Sequence, residues 1–413
     1  VASAGASRPS GPRGALWLAI VLAAGAISAM TVPGQTAGLS VFTDPLIAEV
    51  GIDRTQISLS YLVGTLTGAA AQPIIGRASD RWSPRTVLIV IACALAAFLV
   101  GLSFVTEVFG LTAGFVGVRM AGQGALSLAV TTAVARAISS RRGLALGLST
   151  AIGSAGISLA PIGIERLIDA VGIRAAWRWE ALIVLAVVVP AAMFFRRRVD
   201  HADHVAAHRD EEEWTVGEAV RTGMFWVLSL AVATTSMLGT ALQFHQIALL
   251  GEQGLEPWEA AANFLPQTVT ALLATVLVGA LVDRVNPRII IVAAMLAMGG
   301  ALLLVSFVEP GWRAILYGLV LGSAGGSLRG MEAATFVRYF GTKHIGQIRG
   351  FAGVVSLGAS ALGPFVLAYG REMAGGFVTP SIALAVIPAA VIVAGVFVRA
   401  PRRRGPSGSP VPR

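Results

Sequence analysis

The chain has 413 residues, of which 55% are hydrophobic and only 13% charged, and its mean hydropathy is +0.76. Soluble domains carry about 25% charged residues, so this composition excludes an ordinary soluble domain. The net charge of +9 does not imply nucleic acid, because the basic residues are confined to alternate loops between long apolar runs.

Residues 1–13, rich in Pro, Gly, Ser and Arg, read as a disordered tail. Twelve apolar runs follow, roughly at 14–42, 55–76, 86–105, 108–137, 143–165, 177–195, 220–250, 258–282, 287–307, 312–338, 347–370 and 378–399. Each has the length and low charge of a membrane-spanning segment. Lipid offers no partner to free backbone groups, so the spans are expected to be helices; the alternation of a β-barrel strand is absent from the sequence. The first run reads as a span rather than a cleaved leader, and the first, fourth, seventh and tenth are long enough to tilt or bend.

Span one carries Pro33-Gly34-Gln35-Thr36, which predicts a helix break of the kind that lines transporter cavities. After span two stands Gly76-Arg77-Ala78-Ser79-Asp80-Arg81-Trp82-Ser83-Pro84-Arg85. After span eight the phrase returns as Gly279-Ala280-Leu281-Val282-Asp283-Arg284-Val285-Asn286-Pro287-Arg288. Asp283 stands to the second copy as Asp80 does to the first, and Arg288 as Arg85. Arg136 at the end of span four is echoed by Arg338 at the end of span ten, and Arg142-Gly143 by Arg349-Gly350. The chain therefore reads as two similar six-span bundles, 14–195 and 220–399, joined by a linker at 196–219.

That linker holds an arginine run, His201, His204, His208 and Asp210-Glu211-Glu212-Glu213. The histidines read as a solvated segment rather than a metal site. Trp214–Ala219 reads as a short surface helix. Cys93 is the one cysteine and forms no intrachain disulfide. Residues 400–413 form a second disordered tail.

Basic residues gather in every second loop, among them Arg8, Arg13, Arg77, Arg196, Arg197, Lys343, Arg402 and Arg403, while the alternate loops carry Asp44, Glu49, Asp53, Glu107, Glu252, Glu256, Glu259 and Glu309. This bias puts both termini in the cytoplasm. The 165–180 loop, with Arg166, Arg174 and Arg178, is mixed.

These motifs carry a resemblance. Gly76, Asp80, Arg81 and Arg85 match the Gly-x-x-x-Asp-Arg-x-Gly-Arg-Arg signature of the major facilitator superfamily, with Ser83-Pro84 in place of its Gly-Arg step. Arg119-Met120-Ala121-Gly122-Gln123-Gly124 is similar to that family's span-four pattern. The resemblance covers roughly residues 14–399. It implies an all-α membrane protein of twelve transmembrane helices in two pseudo-symmetric bundles. It also implies that Asp80 faces the start of span eleven, and Asp283 the start of span five. Each carboxylate would meet a helix N-terminus. With Arg81, Arg85, Arg284, Arg288, Arg136 and Arg338 they form an expected cytoplasmic latch that opens in alternating access.

Charges inside spans cost at least about 2.5–3.5 kcal/mol on insertion scales and usually mark a substrate or ion path. Three stand out: Arg119, Arg329 and Glu332. Arg329 and Glu332 share a face of span ten. Either they neutralise one another, or Arg329 forks onto a substrate carboxylate while Glu332 exchanges a proton. In the family Arg119 is associated with proton coupling or substrate orientation; the alternative is a satisfied interhelical arginine.

In span seven the stretch from His245 to Ala262 resembles the bacterial branch related to monocarboxylate and oxalate–formate porters, where this region lines the cavity. Relatives there have an arginine in span eight; none lies between Asn263 and Val282. Span five weakly resembles a Gly-Pro motif of drug–proton antiporters, with Ala160 where that motif has glycine.

Walker, metal-cluster and nucleophile-triad motifs are absent from the sequence. The reading is a secondary transporter of the inner (plasma) membrane with no catalytic residues, metal or cofactor. It would move a small organic anion coupled to protons or a counter-anion, act as a monomer in the lipid bilayer, and bind no nucleic acid. Arg329, His245, Gln246, Gln35, Gln123, Ser356 and Ser360 would bind substrate, and Glu332 and Arg119 would couple protons. The alternative is proton-driven efflux of a drug or natural product, with Glu332 as proton site and Arg329 as its resting partner. A sensor or membrane enzyme would need an appended domain or a catalytic cluster.

Overall fold

A computed structural model describes residues 12–138, 142–195, 214–282, 284–341 and 344–399, and every regular element in them is helical. Packing divides the chain into two compact units. One comprises Val1–Ile52 and Val63–Asp203, the other Asp53–Leu62 and His204–Arg413. The bundles expected from sequence differ from this division at 53–62, which the structure groups with the second unit.

In the first unit, α1 (Pro12–Ala29) gives way to a 3-10 turn at Val32–Gly34, and α2 (Thr36–Val50) resumes the path. The break predicted at Pro33-Gly34 is present. Proline lacks an N–H, and the Gly34 N–H bonds Thr31 O at 3.0 Å instead of extending the helix. After α3 (Arg54–Arg81), Ser83 caps α4 (Pro84–Leu102), its Oγ accepting from Thr86 N at 3.2 Å. Span four is α5 (Val108–Val118), a π-helical segment Arg119–Leu126, and α6 (Ser127–Ala137). Then come α7 (Arg142–Val171) and α8 (Ile173–Ala192).

The second unit begins with α9 (Val216–Ala219), closed by a Thr215–Glu218 capping box. Trp214 before it is only 4% exposed and meets Phe340 edge-on at 5.8 Å, so this helix start is anchored in the core rather than lying on the surface. There follow α10 (Gly223–Phe244), α11 (Gln246–Gly251), α12 (Pro257–Ala262) and α13 (Phe264–Leu281). Next are α14 (Pro287–Leu304), α15 (Trp312–Phe340), α16 (Ile345–Ala374), α17 (Val378–Leu384) and α18 (Val386–Phe397). Asn286 caps α14 as Ser83 caps α4, its Oδ1 accepting from Arg288 N at 3.1 Å with a proline in the first turn. Both copies of the repeated phrase thus end one helix and start the next by the same chemistry.

Among the described residues, ten segments are long and apolar enough to cross a membrane. The other two long helices, α3 and α15, have 28 and 29 residues. Each would extend about 42 Å or slightly more, but both are more polar than the ten.

Glycine spacing sets the closest packing in the second unit. Gly318, Gly322, Gly326 and Gly330 recur every fourth residue on α15 and lie flush against α13. A methyl on Gly326 would overlap the Ala271 carbonyl oxygen, and one on Gly330 would sit 2.5 Å from Thr275 O. Thr275 Oγ1 ties the pair by donating to Gly326 O at 3.1 Å. This fixes the rotation of α15 and therefore the direction of its charged side chains.

Candidate functional site

In the first unit the charged residue of span four meets the break of span one. Arg119 is 2% exposed, and its Nη1 donates to the Gly34 carbonyl oxygen at 3.0 Å. The approach is close because Gly34 and Gly122 have no side chains. A Cβ on Gly34 would overlap Val118 O and lie 2.7 Å from Gln123 N. The π-helical segment begins at Arg119, a distortion often associated with functional sites. Gln35 is half-buried and donates to Thr31 Oγ1 at 3.0 Å; Gln123 is half-buried on the π-helical segment. Of the two expectations for Arg119, the geometry contains the interhelical hydrogen bond.

In the second unit a cavity of about 310 Å³ is lined by Glu332 and Phe336 of α15, Val232 and Ser236 of α10, and Ser356 and Ser360 among others of α16. Hydroxyl pairs join α10 to α16: Ser236 to Ser356 at 2.7 Å and Thr240 to Ser360 at 2.8 Å. Glu332 is not neutralised by Arg329. Its Oε1 lies 3.6 Å from Nη2 of Arg349, the fifth residue of α16. Arg329 is exposed, and no described residue lies within ion-pair or hydrogen-bond distance of its guanidinium.

His245 and Gln246 lie elsewhere in this unit, at the bend between α10 and α11. His245 is 1% exposed; its Nε2 lies 2.9 Å from Pro364 O and 3.4 Å from Ser58 Oγ, and its ring tilts over Phe377 at 5.4 Å. Gln246 donates to Ala260 O at 2.9 Å and accepts from Gln267 Nε2 at 2.6 Å. Both side chains are enclosed and outside the lining of the Glu332 cavity. The structure thus groups Glu332, Ser356 and Ser360, and separates them from His245 and Gln246.

Of the expected latch, Asp283 and the side chains of Asp80 and Arg81 lie outside the described residues. Arg85, Arg136 and Arg284 are exposed, and Arg288 is half-buried. Arg338 donates through Nη1 to Val282 O at 3.3 Å, capping the C-terminus of α13.

Several contributors escaped the sequence reading. Arg349 was read as the echo of Arg142 at the start of span eleven, not as the partner of Glu332. Ser236 and Thr240 are four apart on α10, as Ser356 and Ser360 are on α16, a spacing that matches two rungs between helices. Two buried acids, Glu165 and Glu180, are 9% and 6% exposed; both lay in the stretch taken for a mixed loop.

The Major Facilitator Superfamily model matches residues 16–364. Multidrug resistance protein MdtG of Citrobacter koseri is 26% identical over 285 residues, 65% of this chain and 67% of that protein. The oxalate:formate antiporter of Oxalobacter formigenes is 24% identical over 245 residues, 58% of this chain and 56% of the antiporter. Among solved structures, a bacterial homologue of the human lysosomal transporter Spinster superposes with a TM-score of 0.73 at 16% identity, covering 94% of this chain and 97% of that one. A repeated span-two motif, an all-helical fold and a family match over most of the length converge: the chain belongs to the Major Facilitator Superfamily and is a transporter, not an enzyme.

Proposed function

We propose that this protein is a twelve-span secondary transporter of the cytoplasmic membrane, with both termini cytoplasmic, that carries a small organic anion, a carboxylate, coupled to protons or a counter-anion. The observation carrying this reading is Arg329. A guanidinium within a spanning helix is too costly to leave in lipid, and this one is exposed with no described counter-charge. Its planar fork suits a carboxylate held by two parallel hydrogen bonds. Glu332, three residues along and held by Arg349 rather than Arg329, is the proton-coupling group. The relationship to an oxalate:formate antiporter supports the same substrate class.

The test is uptake of radiolabelled small carboxylates into proteoliposomes. Arg329→Ala abolishes saturable uptake, and Arg329→Lys, which keeps the charge but loses the fork, retains only a weakened affinity. Unchanged transport and affinity in Arg329→Ala removes this residue from the site.

A second reading, proton-driven efflux of a drug or natural product, is favoured by the apolar part of the Glu332 cavity, Val232, Phe336 and Leu357, and by the similarity to MdtG. Thermal stabilisation of the purified protein discriminates. A small carboxylate stabilises it under the first reading, a lipophilic cation under the second.

A further inference from the structure

Neither reading uses Glu180. It lies seven residues into α8, a helix long and apolar enough to span the membrane. It is 6% exposed and shares the buried face with Ile173, Ala176, Trp177, Ala181 and Val184. The layer is closed on one side by the Trp177 indole stacked on Phe42, with ring centroids 3.5 Å apart. Glu180 Oε2 and Trp177 Nε1 are both enclosed without a hydrogen-bond partner.

The helices packed on α8 are α1, α2, α4 and α7. From residue 15 onward α1 has no titratable side chain. On α2 the groups are Asp44 and Glu49, and Glu49 accepts from Arg174 at 2.7 Å. On α7 they are Glu165, Arg166 and Asp169, with Arg142 at the far end of the helix, and on α4 Cys93 and Arg85. Arg85 stands at the start of α4, whose opposite end meets α8 where Arg178 reaches Ser103 Oγ at 3.0 Å. Arg178 also lies over the Phe104 ring at 5.0 Å. No described cation pairs with Glu180.

A carboxylate in such surroundings, with no described cation beside it, loses far more hydration free energy than the neutral acid does. A glutamine would fill the same volume with a permanently neutral group. What glutamate adds is an exchangeable proton. We propose that Glu180 is a proton-binding site of the first unit, a carboxyl that rests as the neutral acid among apolar side chains. The ligand is a proton, and the site is independent of Arg329 and Glu332 in the second unit.

The experiment uses the full-length protein in liposomes at neutral pH. Dicyclohexylcarbodiimide adds to neutral carboxyls in apolar surroundings, and peptide mass spectrometry locates the adduct. The expected result is an adduct on Glu180 that disappears in Glu180→Gln. Infrared difference spectra of wild type against Glu180→Gln serve where the reagent fails to reach the layer. Loss of a neutral carboxylic-acid carbonyl band, with the unfolding midpoint unchanged, supports the proposal. Loss of a carboxylate band at neutral pH overturns it, whether or not an adduct forms.

Discussion

Replacing Gly34 by alanine tests the junction between the breaks of spans one and four. The added methyl would overlap the Val118 carbonyl oxygen and lie 2.7 Å from Gln123 N and 2.9 Å from Gly122 Cα. All three are backbone atoms, so no rotamer change relieves the clash and the two segments must separate. Overpacking of this kind costs about 1–3 kcal/mol. Separation also stretches the 3.0 Å bond from Arg119 to Gly34 O, and losing a hydrogen bond from a charged group costs about 1.5–3 kcal/mol. The sum, roughly 2.5–6 kcal/mol, corresponds to a fall in unfolding midpoint on the order of 10 °C for a bundle of this size. Gly122→Ala supplies a milder step, since its methyl would meet Gly34 Cα at 3.0 Å and Thr31 O at 3.2 Å. Gly101→Ala, in α4 with nothing within 4 Å, is the control and should be neutral or stabilising by up to about 1 kcal/mol through helix propensity. The assay is thermal unfolding of the purified protein in detergent. A Gly34→Ala midpoint equal to wild type, or a Gly122→Ala effect larger than that of Gly34→Ala, refutes the reasoning.

Glu332→Gln should barely alter stability, within about 1 kcal/mol, because its 3.6 Å pair with Arg349 is partly exposed on both sides. It should nonetheless abolish uptake driven by a pH gradient while sparing exchange, measured in proteoliposomes. Ser356→Ala leaves Ser236 without its 2.7 Å partner and should lower stability by about 1 kcal/mol. Adding Ser236→Ala should then cost little more, a coupling that a double-mutant cycle reads directly.

The scaffold was legible because its signals are local. Ser83-Pro84 and Asn286-Pro287 mark helix starts by capping chemistry that needs only neighbouring residues, and Pro33-Gly34 marks a break for the same reason. The glycines at 318, 322, 326 and 330 went unread, although their spacing identifies the face of α15 that meets another helix. Partners were not readable. Glu332 stands beside Arg329 in sequence but pairs with Arg349, since the glycine stripe sets the rotation of α15 and so the direction of Glu332. His245 looked like a cavity residue because histidine can bind anions, yet its ring lies in a bend against Pro364 O and Phe377. Glu180 was overlooked although it falls inside the run 177–195, because the mixed loop read at 165–180 overlaps that run's start, whereas the helix begins at Ile173 and carries Glu180 inward.

The three charges picked out within the spans have different surroundings, and the difference bears on function more than their number does. Each incurs an insertion cost of at least about 2.5–3.5 kcal/mol. For Arg119 a hydrogen bond to a carbonyl at a helix break offsets part of it. For Glu332 a facing guanidinium 3.6 Å away offsets it in part. For Arg329 the described residues contain no offset at all. In a transporter, a cost that the described residues leave without an offset is one that cargo would supply. On that reasoning we propose the anion at Arg329 and the proton at Glu332, while the hydrogen bond from Arg119 ties span four to the span-one break.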